Sequence, residues 1–158
     1  MKPQRSGAPQ EHHQRPVAGD VVVDEAALLR QAREVKARAY APYSHFKVGA
    51  VVLTADGDTF VGVNVENASF RVTSCAEQTA IATMVSAGSS AEVVAVAVVG
   101  DGADPCTPCG ACRQTIYEFG SNATVFASGD GGRPLIATIG ELLPNSFGPA
   151  RLGQGRGE

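Results

Sequence analysis

The chain has 158 residues, 44% of them hydrophobic, and a formal net charge of −3. That length suits one compact domain with a buried core and is short for two. Its Lys and Arg are scattered, without the basic stripe of a protein that tracks a polynucleotide backbone, which favours a small-molecule partner over a nucleic acid.

Residues 1–20 are polar, contain three prolines and the adjacent His12 and His13, and show no hydrophobic periodicity. They are predicted to be a disordered tail, with the His pair solvated. They contain no apolar segment of the kind a secretory signal needs. No apolar run approaches a membrane span, so a cytoplasmic protein is expected. Asp24 is placed to cap a helix running to about Ala39, with Leu28, Ala32, Val35 and Ala39 on one face. Pro42 and Ser44 mark a loop. Val48–Thr54 and Thr59–Val65 read as two strands, joined by Asp56-Gly57-Asp58 as a hairpin turn. Cys75–Ala87 reads as a helix that stops near Gly88. Val93–Val99 is a continuous β-branched run typical of a central strand buried on both sides. A helix over Cys109–Phe119 ends at Gly120, a strand covers Ala123–Ala127, and a short helix over Ile139–Leu143 stops at Pro144. From about Gly153 the chain is Gly-rich and expected to be loose. The domain is therefore expected over residues 21–152. A hairpin followed by strand–helix–strand alternation implies a mixed sheet with helices packed on it.

The four cysteines are Cys75, Cys106, Cys109 and Cys112. In a reducing compartment, clustered cysteines are metal ligands more often than disulfides. Cys-x-x-Cys at a helix start brings two sulfurs within reach of one ion, and Cys75 starts another helix. Helix N-termini favour thiolate over thiol. Zinc suits sulfur, and three protein ligands leave a fourth position open for water. Cys106, Cys109 and Cys112 are evenly spaced, so spacing alone does not select the pair, and four cysteines also suit a closed structural site. Cys106 lies between Pro105 and Pro108 in a predicted loop and reads as a bystander. Glu77 follows Cys75 by two residues, near enough to take a proton from water and pass it to leaving ammonia. A structural zinc module has no use for such a proton shuttle.

This constellation is the one that zinc-dependent nucleobase deaminases use, and the chain resembles the cytidine deaminase family over roughly residues 24–150. The matching segments are Tyr43-Ser44-His45-Phe46-Lys47-Val48-Gly49-Ala50, Gly62-Val63-Asn64-Val65-Glu66-Asn67-Ala68, Cys75-Ala76-Glu77, Pro108-Cys109-Gly110-Ala111-Cys112-Arg113-Gln114 and Glu141-Leu142-Leu143-Pro144. The resemblance implies an α/β fold: a mixed sheet of about five strands with helices on both faces, a three-layer sandwich. It implies one Zn²⁺ per chain on Cys75, Cys109 and Cys112, with Glu77 catalytic. It implies hydrolysis of cytidine or deoxycytidine to uridine or deoxyuridine and ammonia, in pyrimidine salvage. Asn64 and Glu66 are then expected to bind the ribose hydroxyls, and Phe46 to pack on the pyrimidine, with Ala76 in the substrate-binding set. Phe147 resembles a Phe that reaches a neighbouring subunit's site, in a family of homotetramers with shared active sites.

Two departures stand out. The family usually has Arg after the catalytic Glu, and here it is Gln78. Three thiolates and Zn²⁺ leave a formal charge of −1, which Arg offsets and Gln78 meets only with a neutral hydrogen bond. Arg71 and Arg113 are the other candidates to supply that charge. Phe70 stands where the family often has Tyr. A deaminase of a cytosine-containing nucleoside antibiotic, of the blasticidin S type, is the alternative within the same chemistry. Such enzymes tend to lack the Asn-x-Glu-Asn-Ala run that this chain keeps. A polynucleotide editor is disfavoured by the acidic charge.

Overall fold

The computed structural model describes residues 21–153 and the backbone of Arg15–Pro16. The expectations for the rest of the tail, including His12 and His13, and for residues 154–158 lie outside the described residues. Arg15–Pro16 (β1) pairs antiparallel with Val22–Val23 (β2), a pairing not anticipated within the tail.

The first helix, α1 (Glu25–Lys36), starts as its sequence predicts: the Asp24 side chain accepts from the Ala27 N–H at 2.9 Å. This satisfies one of the donors that a helix start leaves unpaired. It ends three residues before the expected Ala39, because the chain turns there on bonds from Arg38 N to Val35 O and Ala39 N to Lys36 O. Leu28, Ala32, Val35 and Ala39 are all buried, as their spacing requires.

Strands β3 (Val48–Thr54) and β4 (Thr59–Val63) form the predicted hairpin. Gly57 turns it at φ +88°, a conformation L side chains rarely adopt. Strand β4 stops two residues short of Val65, which instead bridges Tyr40 and Ser74. Helix α2 (Ala76–Ser86) follows, then β5 (Val93–Gly100), α3 (Gly110–Phe119), β6 (Thr124–Ser128), β7 (Leu135–Thr138) and α4 (Ile139–Leu142).

The sheet order is β4-β3-β5-β6-β7, with β5 and β6 parallel and the other pairs antiparallel. All eight residues of β5 are buried. Its alternate positions serve two cores, as the two-residue period of a strand dictates. Val96 and Val98 join Ala80, Ile81, Met84, Ile116 and Ile139 beneath α2, α3 and α4. Ala95, Ala97 and Val99 join Leu28, Leu29 and Ala32 of α1 on the opposite face. The five-stranded mixed sheet between two helical layers is the fold that the resemblance implied.

The residue reading had no strand at Leu135–Thr138. Strand β7 is a four-residue sheet edge whose side chains are mostly exposed, so it carries little apolar alternation. Its pairing with β6 makes it a strand. Among the described residues no helix is long and apolar enough to cross a membrane.

Candidate active site

The two cysteine motifs fold as helix starts. Cys75 is the N-cap of α2 and Cys109 the N-cap of α3, each with extended backbone, and neither side chain is used to cap its helix. Each helix therefore begins one residue later than predicted. Gly62 lets α2 approach this closely, since a Cβ there would overlap the backbone at Ala76 and Ala80. The sulfurs of Cys75 and Cys109 lie 4.0 Å apart, and buried Cys112 brings its own sulfur into a cluster whose members all lie within 4.8 Å.

Two thiolates on one tetrahedral zinc stand roughly 3.8 Å apart. Three sulfurs at these spacings, two at positive helix ends, are a donor set that fits zinc and leaves a fourth position free of protein. Cys75 is lowered to about 7, chiefly by a hydrogen bond from Cys112. Cys112, as the donor, is pushed up by the Cys75 sulfur and by burial.

Glu77 sits in the first turn of α2 and is 4% exposed. Burial raises its carboxyl above the ordinary carboxylate value. Ala76 beside it is fully buried. Cys106 lies outside the thiol cluster among the described residues. A Cβ on Gly100 would stand 2.7 and 2.8 Å from Cys106 Cβ and Sγ and 3.0 Å from Phe46 Cε1. Cys106 and Phe46 thus both border Gly100, and burial pushes the Cys106 thiol up to about 11.

Asn64 and Glu66 hold the loop that carries Phe46. Asn64 Oδ1 accepts from Val48 N at 2.8 Å, and its Nδ2 donates to Phe46 O at 2.9 Å. Glu66 Oε2 accepts from Tyr43 N at 2.9 Å and Ser44 N at 3.2 Å, while Oε1 accepts from the Ser44 hydroxyl. The Ser44 hydroxyl leads the causes that hold the Glu66 carboxyl below its ordinary value. The resemblance implied only a sugar for these two side chains, and their bonds to residues 43–48 were not anticipated. Each keeps unused lone pairs or protons for a second partner. Phe46 is 41% exposed.

Behind the ligands, Arg113 donates from Nε to Pro108 O at 2.8 Å and from Nη1 to Leu142 O at 2.9 Å. It anchors the Pro108-Cys109 turn to the end of α4. Gln78 is half-buried in the first turn of α2. Gln114 Nε2 donates to Phe147 O at 2.8 Å, which fixes the backbone there and leaves the Phe147 ring 59% exposed.

Residues 22–128 match the family model of the cytidine and deoxycytidylate deaminase zinc-binding region. The chain is 42% identical over 126 residues to a cytidine deaminase of Halalkalibacterium halodurans, covering 79% of this chain and 95% of the relative. It is 38% identical over 126 residues to a cytidine deaminase of Mycobacterium tuberculosis, covering 80% and 91%. The crystal structure of a cytidine deaminase from Burkholderia pseudomallei superposes with a TM-score of 0.73 at 43% identity, covering 77% of this chain and 98% of that one.

Proposed function

Since the chain belongs to the cytidine and deoxycytidylate deaminase family, we propose that it hydrolyses the amino group from cytidine or deoxycytidine, giving uridine or deoxyuridine and ammonia. The observation that carries this reading is the cluster of Cys75, Cys109 and Cys112 at two helix starts, with Glu77 buried beside it.

In this reading Cys75, Cys109 and Cys112 hold one zinc ion. Zinc supplies Lewis-acid activation of water when bound. Glu77 takes a proton from the attacking water and returns it to the departing amino nitrogen, as the ring carbon exchanges its bond to nitrogen for one to oxygen. Its burial keeps bulk water from competing for that proton. The Phe46 ring packs on the flat pyrimidine. Asn64 and Glu66 use their remaining hydrogen-bonding capacity on the sugar hydroxyls, which selects nucleosides over free bases. Ala76 presents its backbone to the base at the start of α2.

The catalytic unit spans residues 21–152. It works as a homotetramer in which the exposed Phe147 ring reaches a neighbouring subunit's site. Thiolate ligands require a reducing compartment, which supports the cytoplasm as the place of action.

The test is incubation of the zinc-loaded protein with cytidine, deoxycytidine, cytosine and a cytosine-containing nucleoside antibiotic, followed through loss of the cytosine absorbance band. The two simple nucleosides should be consumed, and cytosine much more slowly. Turnover of the antibiotic alone would overturn the reading.

A further inference from the structure

We propose that Lys36 is a positioning residue: it locks the segment that carries Phe46 to the loop that leads to the zinc ligands. The proposal rests on the deaminase reading above for its substrate.

Lys36 ends α1 on the side of the sheet opposite Glu77, and it is 9% exposed. Its Nζ donates to Asp101 Oδ1 at 2.7 Å and also to Asp130 Oδ1. Each carboxylate uses its other oxygen on a backbone N–H. Asp101 Oδ2 accepts from Lys47 N at 2.7 Å, and Asp130 Oδ2 accepts from Gly102 N at 3.1 Å. The backbone closes the same junctions, with Asp101 N donating to Lys47 O at 3.1 Å and Asp130 N to Gly102 O at 2.6 Å. Arg33, one turn earlier on α1, donates to Gly129 O at 3.3 Å.

Three chain segments meet at this cation: the segment entering β3, the loop after β5 and the turn after β6. The segment entering β3 is residues 46–48, which Asn64 grips from the other side. The loop after β5 runs from Asp101 past Cys106 to Pro108 and Cys109. Cys106 N donates to Ser128 O at 3.3 Å, and Cys106 and the Phe46 ring both border Gly100. The spacing between the stacking ring and the ligand loop is thus set through Asp101.

One ammonium between two carboxylates is a charge arrangement that collapses when the cation is removed. The carboxylates, both partly exposed, then repel each other through a screen of solvent and lose the donor that held them together. The segments are free to part, and the first consequence is a displaced Phe46. A ring shifted by a fraction of an ångström weakens binding of the base more than it changes proton transfer at Glu77.

The experiment compares wild type, Lys36→Met, Lys36→Arg and Asp130→Asn, all zinc-loaded, by cytidine kinetics, zinc content, thermal unfolding and amide hydrogen exchange. Lys36→Met should keep its zinc and lose about tenfold to a hundredfold in kcat/KM, the scale of a remote misplacement, with most of the loss in KM. Lys36→Arg should restore KM, because a guanidinium bridges two carboxylates. The Lys47 and Gly102 amides should exchange about tenfold faster or more in Lys36→Met, the size of a lost hydrogen bond to a charged group, with β5 unchanged. If Lys36→Met does not fold, Asp130→Asn should show the same KM rise in smaller measure. A lowered melting temperature with KM unchanged would overturn the proposal, since Lys36 would then only staple the fold. If wild type consumes no cytosine nucleoside, the deaminase reading falls, and amide exchange alone decides for the lock. Unchanged Lys47 and Gly102 amides in Lys36→Met would overturn it.

Discussion

The sulfurs of Cys75 and Cys109 stand 4.0 Å apart although 34 positions separate them in the chain. They meet because α2 and α3 point their N-termini at one place, and Cys112 closes the cluster one turn further along α3. Replacement of Cys75, Cys109 or Cys112 by Ala should abolish stoichiometric zinc, while Cys106→Ala should keep one zinc per chain. Metal analysis of the four purified variants checks this. A zinc-free Cys106→Ala protein would show that the ligand set has been misassigned.

Glu77→Gln preserves shape and removes the ability to carry a proton. The variant should bind zinc, melt close to wild type and lose roughly 10²-fold or more in turnover, the scale of general acid–base catalysis. Steady-state rates on cytidine with zinc content measured in parallel decide it. Near-normal turnover would remove Glu77 from the chemistry.

Glu66 holds the 43–44 loop, and in the proposed function it also meets the sugar. Glu66→Ala should therefore raise KM for cytidine, and should lower the preference for cytidine over free cytosine, because the nucleoside loses a hydrogen-bond partner that the base never had. The ratio of kcat/KM for the two substrates is the readout. An unchanged ratio would assign Glu66 to the loop alone.

The contribution of the Lys36 cluster to stability has a defined pH window. Asp101 and Asp130 lie below their ordinary value of 3.8, first because Lys36 donates to each. Lys36 lies above 10.5: burial lowers it, but the hydrogen bonds to Asp101 and Asp130 raise it further. Depressed carboxylates stabilise above their unfolded pKa and lose that effect as pH falls through the folded one. A raised lysine stabilises below its unfolded pKa and loses the effect as pH rises through the folded one. The difference in urea midpoint between wild type and Asp130→Asn should be flat from about pH 5 to about pH 9 and shrink on both sides. The zinc ligands are the same in both chains, so metal loss in acid cancels. A difference that peaks inside the window would contradict the cluster's protonation states.

Gly62→Ala tests the packing under the catalytic helix. The new Cβ meets backbone atoms of Ala76 and Ala80, which cannot swing aside as a side chain would. The variant should lose about 1–3 kcal/mol, the range of overpacked cores, and should bind zinc more weakly because α2 carries Cys75. Thermal unfolding and zinc titration measure both effects. Wild-type values in each would mean that β4 and α2 are less tightly apposed.

Local order was written plainly in the chain. Asp24 capped its helix, Asp56-Gly57 turned its hairpin, and the buried run at Val93–Val99 became the central strand, because caps, turns and periodicities act over a few residues. The Cys-Ala-Glu and Pro-Cys-x-x-Cys motifs were equally plain, since a metal site built on helix starts needs ligands at the helix starts. Other features have no local signature. Leu135–Thr138 became a strand only by finding the free edge of β6. Cys106, spaced like a ligand, lies outside the thiol cluster and beside Gly100, with its backbone N–H bonded to Ser128 O. Asn64 and Glu66 reached back to the loop at residues 43–48. Lys36 carries no signal at its own position, because its partners Asp101 and Asp130 come from 65 and 94 positions away. A side chain's period along the chain reports which face it takes, whereas its polar partners depend on where distant segments return, and that is fixed only when the sheet is assembled.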